Sequence, residues 1–189
     1  MKRPKTPKPK PVHYTLIDPV DETGAVIYAR LRALISAHHD ELRDARIALA
    51  WNTAWKPDVD GRCTLGLCKR ASDLDRELSA FDFVIVLRRE FWDAPTVGEQ
   101  QRNALLDHEL SHATVALDRD GEPKVDERGR TVYRLRKHDI EEFGAVVARW
   151  GLYKRDLEWF VKQVPKVDAL SPAEAEEIAS EPPEREWYR

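Results

Sequence analysis

The sequence predicts an α+β domain. Three observations point there: helical apolar spacing over residues 22–43, two β-rich apolar runs at 46–55 and 81–88, and a second helical pattern over 97–117 that carries His108-Glu109-Leu110-Ser111-His112. One domain is the expectation for 189 residues, and 42% hydrophobic content suits a globular core. No apolar run reaches membrane-spanning length. The basic N-terminus is not followed by an apolar segment, so it does not read as a secretory signal. Two cysteines give no disulfide framework, and a reducing cytoplasm is the expected compartment.

Residues 1–11 carry Lys2, Arg3, Lys5, Lys8 and Lys10, with prolines at 4, 7, 9 and 11 and no acid. Such a segment cannot bury a core and reads as a disordered tail, with weak DNA contact through phosphate neutralisation as its sharper use. After a short apolar lead-in at 14–19, Asp21-Glu22-Thr23 offers caps for a helix over 22–43, in which Val26, Ile27, Leu31, Leu34, Ile35 and Leu42 recur at helical spacing. His38 and His39 lie within it and read as exposed. Arg46 to Trp55 is a strand, residues 56–61 are turn chemistry, and 62–72 is a second strand with Gly66 inside it as a bulge. Cys63 and Cys68, on opposite faces of a regular strand, read as reduced thiols. Phe81 to Arg88 is the strongest strand signal, and its continuous apolar run fits burial on both faces.

A loop at 92–96 leads into the helix over 97–117. Residues 118–123 break it, and 124–135 form a small hairpin about Asp126-Glu127-Arg128-Gly129. A helix follows over 140–150, stopped by Gly151, and a last one spans 153–164 before Pro165. From Asp168 onward seven acids face two arginines, an acidic solvated tail. The organisation is therefore a tail at 1–11, a domain at 12–165 and a tail at 166–189.

The pentapeptide carries the chemistry. His108 and His112 stand four residues apart, so on a helix both rings project from one face and can clamp one metal ion. Neutral imidazoles bind Zn²⁺ without cancelling its charge. Glu109, one residue after the first ring, is placed to act as general base when water attacks a peptide carbonyl. Leu106, Leu110, Ala113 and Leu117 form the apolar stripe behind the motif, with Glu109 on the flank. A chance match on a surface helix is the bland alternative, and the leucine stripe argues against it.

A catalytic zinc takes three protein ligands and keeps one position open. A metzincin would place glycine at 115 and histidine at 118; Val115 and Asp118 exclude that pattern. His138 is the only later histidine and is favoured as third ligand. Glu142 and Glu141 are the rivals, although Asp139 with Glu142 reads as a capping box that would occupy Glu142. Tyr133 is an oxyanion donor only by nearness to His138 in the sequence.

The segment DHELSHA at 107–113, with KHDIEEF at 137–143 and the preceding WNTAWKPD and FDFVIVLRREFWD strands, resembles the phage metallopeptidase family over residues 12–163. The resemblance implies a zincin-like domain, phage or prophage encoded, acting on a peptide or protein substrate in the host cytoplasm. His108 and His112 match the family's helix ligands and Glu109 its catalytic acid. The order of elements is also similar to SprT-like proteases of DNA–protein crosslinks. Two further classes stay open: a binding module that keeps zinc for structure alone, and a DNA-associated role in which the tail and Arg128, Arg130, Arg134 and Arg136 touch phosphate.

Overall fold

In the computed structural model, which describes residues 13–59, 61–140, 150–152 and 155–163, four strands form a mixed sheet. They are β1 (Tyr14–Leu16), β2 (Ile47–Asn52), β3 (Gly66–Arg70) and β4 (Phe83–Arg88), in the spatial order β1-β2-β4-β3. β2 and β4 run parallel at the centre, with Ile47 opposite Phe83 and Asn52 opposite Arg88; β1 and β3 are antiparallel edges. β2 is buried along its whole length and β4 nearly so, as their continuous apolar runs require.

Five helices accompany the strands among the described residues: α1 (Glu22–His38), α2 (Asp73–Ser79), α3 (Arg89–Asp93), α4 (Glu99–His112) and α5 (Arg155–Gln163). The chain divides into two compact units, Met1–Arg136 and Lys137–Arg189. The second unit contributes α5, in which Leu157 is buried while Trp159, Phe160 and Val161 are about half exposed. The observed architecture is α+β, as the sequence predicts. The expected tails, the boundaries at 12 and 165, and most of the helix expected over 140–150 lie outside the described residues.

Each departure from expectation has a local cause. α1 begins at its expected cap, where the Asp21 carboxylate accepts the Gly24 N–H at 2.5 Å. It stops at His38 rather than 43, because a 3₁₀ turn over Asp40–Leu42 tucks Leu42 completely into the core. Two helices escaped the sequence reading. α2 starts with a Ser72/Asp75 capping box but buries Arg76 and exposes Leu74 and Leu78, so its apolar pattern is inverted. α3 is a single turn of five residues, too short to show a period.

The second strand is shorter than expected, leaving Cys63 outside it. Gly66 is no bulge: its register with Leu87 continues unbroken to Arg70 opposite Phe83. The larger correction is at the metal helix. It ends at His112, and the chain passes directly into an extended β5 (Ala113–Val115), paired antiparallel with β6 (Tyr133–Leu135). Leu117 lies beyond the helix, 57% exposed. Thr114 and Val115 are β-branched, and pairing with β6 satisfies backbone groups that a further helical turn would otherwise have used. Isolated bridges Leu117 to Pro123 and Val125 to Thr131 extend the hairpin, whose Gly129 takes the left-handed conformation at φ 73°.

The core lies between one face of the sheet and helices α1 and α4. Phe83, Ile85, Leu87 and Leu49 meet Ile27, Leu31, Leu106 and Leu110, all almost fully buried. Each such side chain contributes about 1.5–3 kcal/mol by leaving water. α4 is also tied to α1 by polar contacts: Arg30 reaches Asn103 at 3.1 Å and Glu99 at 2.5 Å, and His39 Nε2 stands 2.7 Å from Asp107 Oδ1. His39 is therefore a buried anchor for the helix, not the exposed residue expected.

Candidate metal centre

α4 presents two unlike faces. Leu105, Leu106, Glu109 and Leu110 are its buried residues, while His108 is exposed and His112 half-buried. Leu105 joins Leu106 and Leu110 on the buried face; Ala113 is buried as expected, but as the first residue of β5, and Leu117 falls beyond the helix and is exposed. Glu109 does not sit on the flank. It turns inward, 3% exposed, against the edge strand β3.

The reason lies in β3. The Arg88 N–H donates to the Leu65 carbonyl at 2.8 Å, and the Ala71 N–H donates to the Asp82 carbonyl at 2.9 Å. In an antiparallel pair these bonds alternate, so Leu67 and Lys69 bond β4, while Gly66 and Cys68 direct their backbone groups away from it. The Cys68 backbone hydrogen-bonds Glu109. Gly66 makes the approach possible, since a β-carbon there would stand 2.2 Å from Glu109 Oε1. Burial pushes the Glu109 carboxyl up to about 7, against the opposing pull of His112 and the Cys68 hydrogen bond. A carboxyl titrating near neutrality is matched to accepting and returning a proton. Burial, and then the Glu109 charge, pushes the neighbouring Cys68 thiol up to about 12.

His112 is oriented by the hairpin. The Arg136 N–H donates to the His112 carbonyl at 2.7 Å, and the His112 Nδ1–H donates back to the Arg136 carbonyl at 2.8 Å. That tautomer leaves the Nε2 lone pair as the ring's ligand atom. The His108 and His112 rings are 5.0 Å apart between centroids and nearly perpendicular. Since Leu135 pairs with Ala113, the chain reaches His138 two residues after Arg136. One ligand atom each from His108, His112 and His138 lies within 4.8 Å of the others, and among the described residues this is the group of three that could hold a metal ion. The donor set fits a borderline-soft dication, for which three imidazoles are a familiar shell.

Glu141 and Glu142 lie outside the described residues. Asp139 is exposed. Tyr133, expected as an oxyanion donor, is 5% exposed; its ring meets Phe83 at 5.3 Å and the Arg76 guanidinium lies 5.9 Å from its centre, so it serves as a packing residue. Arg128 and Arg130 pair with Glu77 at 2.7 Å, and Arg130 also with Asp126. Two of the four arginines considered for phosphate contact are thus engaged within the protein. The sequence reading missed Gly66 as a site residue. Its proximity to Glu109 joins positions 43 residues apart, which no local pattern in one sequence reveals.

A histidine cluster on a helix end, a buried carboxyl beside it and a mixed sheet behind define a metal-dependent hydrolase class. The model of the family described as "Putative phage metallopeptidase" matches residues 22–165, and the chain belongs to that family of metallopeptidases. No curated protein and no solved structure matches the chain. No SprT-like protease is therefore among the matches. No helix among the described residues is long and apolar enough to cross a membrane.

Proposed function

We propose that the chain is a zinc-dependent peptidase in which His108, His112 and His138 hold one Zn²⁺ and Glu109 is the general base. The observation that carries this reading is the meeting of three histidine ligand atoms within 4.8 Å, beside a buried glutamate. Zn²⁺ bound there would supply a Lewis acid for the carbonyl under attack. Glu109 takes a proton from the attacking water as its oxygen bonds to the carbonyl carbon. It returns that proton to the amine as the C–N bond breaks, so the carboxylate is regenerated. The Cys68 backbone hydrogen bond holds the carboxylate, and the Arg136 carbonyl holds the His112 ring in register.

A zinc site kept for structure alone has no use for Glu109, whose burial beside the histidines costs free energy and is the arrangement expected of a functional carboxyl. The peptidase domain on this reading spans residues 12–165, and the family match falls within it. Free Cys63 and Cys68 suit the reducing cytoplasm of a phage host.

The test compares wild type with Glu109→Gln for metal content and casein hydrolysis. Equal zinc, with hydrolysis reduced by about 10²–10⁴-fold in the variant, is expected. A variant that hydrolyses as fast as wild type overturns the role of Glu109, and a wild-type protein that takes up no zinc overturns the site.

A further inference from the structure

A cavity of about 480 Å³ opens beside His108 and Glu109, within the size range of small-molecule pockets. Its walls are mostly apolar: Leu65 just before β3, Gly66 at its start, Phe91 from α3, and Ala104 and Leu105 from α4, with the Thr64 side chain adding one neutral hydroxyl. Gln101 also reaches the lining, but its amide oxygen already accepts the Gly98 N–H at 2.6 Å. Apart from His108 and Glu109 themselves, no lining residue carries a titratable side chain.

We infer that this cavity is a specificity pocket, and that it takes the apolar side chain of a leucine, methionine or phenylalanine flanking the scissile bond. The inference rests on the peptidase reading, because it is the sharing of walls with His108 and Glu109 that places a bound side chain next to the reacting carbonyl. The ionisable groups of the lining, His108 and Glu109, are both committed to the catalytic centre on this reading, so a charged side chain entering the cavity would lose its water and gain a partner only by disturbing that centre. A leucine or phenylalanine would instead gain by burying apolar area. The open strand edge fits the same occupant. Gly66 directs its backbone groups away from β4, where an extended peptide can pair with them while its side chain enters the cavity.

Ala104 controls the pocket's capacity. It is an exposed α4 residue, one turn before His108 and on its side of the helix, so a larger residue is carried without disturbing the core. Ala104→Phe fills the cavity and leaves the histidines and Glu109 in place.

The experiment uses two peptide series, varied at the residue before or after a single cleavable bond, each with leucine, phenylalanine, glycine, lysine or glutamate. Cleavage is measured with the zinc-loaded wild type and Ala104→Phe. Equilibrium binding is measured by calorimetry with Glu109→Gln and with Glu109→Gln combined with Ala104→Phe, which needs no turnover. In one of the two series, leucine and phenylalanine peptides are expected to bind and react about tenfold or more better than glycine, lysine and glutamate peptides. Ala104→Phe is expected to abolish that preference by lowering the leucine and phenylalanine peptides toward the level of the glycine peptide, with zinc content held at the wild-type value. Equal treatment of all side chains by the wild type, or an unaltered leucine preference in Ala104→Phe, overturns the pocket. Apolar-selective binding without any cleavage by the wild type upholds the pocket and overturns the peptidase reading instead.

Discussion

Gly66 and Glu109 share a space that holds only one of a β-carbon and a carboxylate: a methyl group on Gly66 would stand 2.2 Å from Oε1 and 2.8 Å from the Glu109 γ-carbon. Both residues are confined, one by its pairing with Leu87 and the other by burial. Gly66→Ala therefore displaces the carboxylate and leaves the histidines where they are. Zinc content is expected to stay at the wild-type level while kcat falls by about 10²-fold, the scale of an ångström-sized misplacement of a reacting group. Wild-type kcat in this variant would sink the account of why glycine stands there.

Metal binding to the folded chain should register as stability. Zinc at about 100 times its Kd stabilises a protein by about 2.7 kcal/mol when it binds the native state alone. Thermal unfolding with zinc and with chelator should therefore differ clearly for wild type and for Glu109→Gln. The difference should vanish for His112→Ala and for His138→Ala. A zinc shift that persists in His138→Ala would move the third ligand to Glu142, which Glu142→Ala would then have to abolish.

Asp82 is the hub at the opposite end of β4. Its carboxylate accepts the Arg46 N–H at 2.9 Å and Arg76 Nε at 2.8 Å, and Arg76 and Asp82 are both almost fully buried. Burial alone would raise the carboxyl, but the Arg46 hydrogen bonds and the charges of Arg46 and Arg76 more than offset it and hold it below its ordinary value. A depressed pKa contributes stability that is present above the unfolded value of about 3.9 and is lost as pH falls through the lower folded value. Asp82→Asn should cost about 3–5 kcal/mol at pH 7, the usual penalty for stranding one member of a buried pair. Urea unfolding at pH 7 and pH 3 checks this. The gap between wild type and variant should narrow at the lower pH, and a constant gap would contradict the assignment.

The two thiols should behave differently. Cys63 is partly exposed and lies outside β3, whereas Cys68 is buried with its pKa pushed up to about 12. An alkylating reagent at pH 8 should modify one thiol in the native protein and both in urea, because the thiolate is the reactive form. Mass spectrometry of the native product should place the label on Cys63.

Residues that announce their surroundings locally were legible in the chain. β4 showed itself through an apolar run that only two-sided burial explains, α1 through Asp21, and the metal helix through two histidines at helical spacing. α2 left a trace in Ser72 and Asp75, but its leucines face water and its arginine faces inward, because Asp82 draws Arg76 to the buried side. The end of α4 was hidden for a different reason. Ala113 to Leu117 continues the helical apolar period, and only the partner strand at 133–135 converts it to extended backbone. Within the candidate site, the inward turn of Glu109 depends on β3, a contact that sequence spacing does not encode.

The hairpin between His112 and Arg136 has a consequence for how this family can vary. The paired bonds between those two residues, one from the Arg136 backbone N–H and one from the His112 ring, close the intervening segment like a clasp. The turn at Asp118–Gly121 is exposed and lies beyond that clasp, whereas the turn at Asp126–Gly129 is docked on α2 through the pairing of Arg128 and Arg130 with Glu77. Lengthening such a loop costs only about 0.6 kcal/mol per doubling. Insertions, deletions or whole appended modules at the Asp118–Gly121 turn should leave the spacing from Arg136 to His138 untouched. That turn is thus a natural place for relatives to acquire new attachments, and for an engineer to graft a tag or a targeting peptide without touching the chemistry.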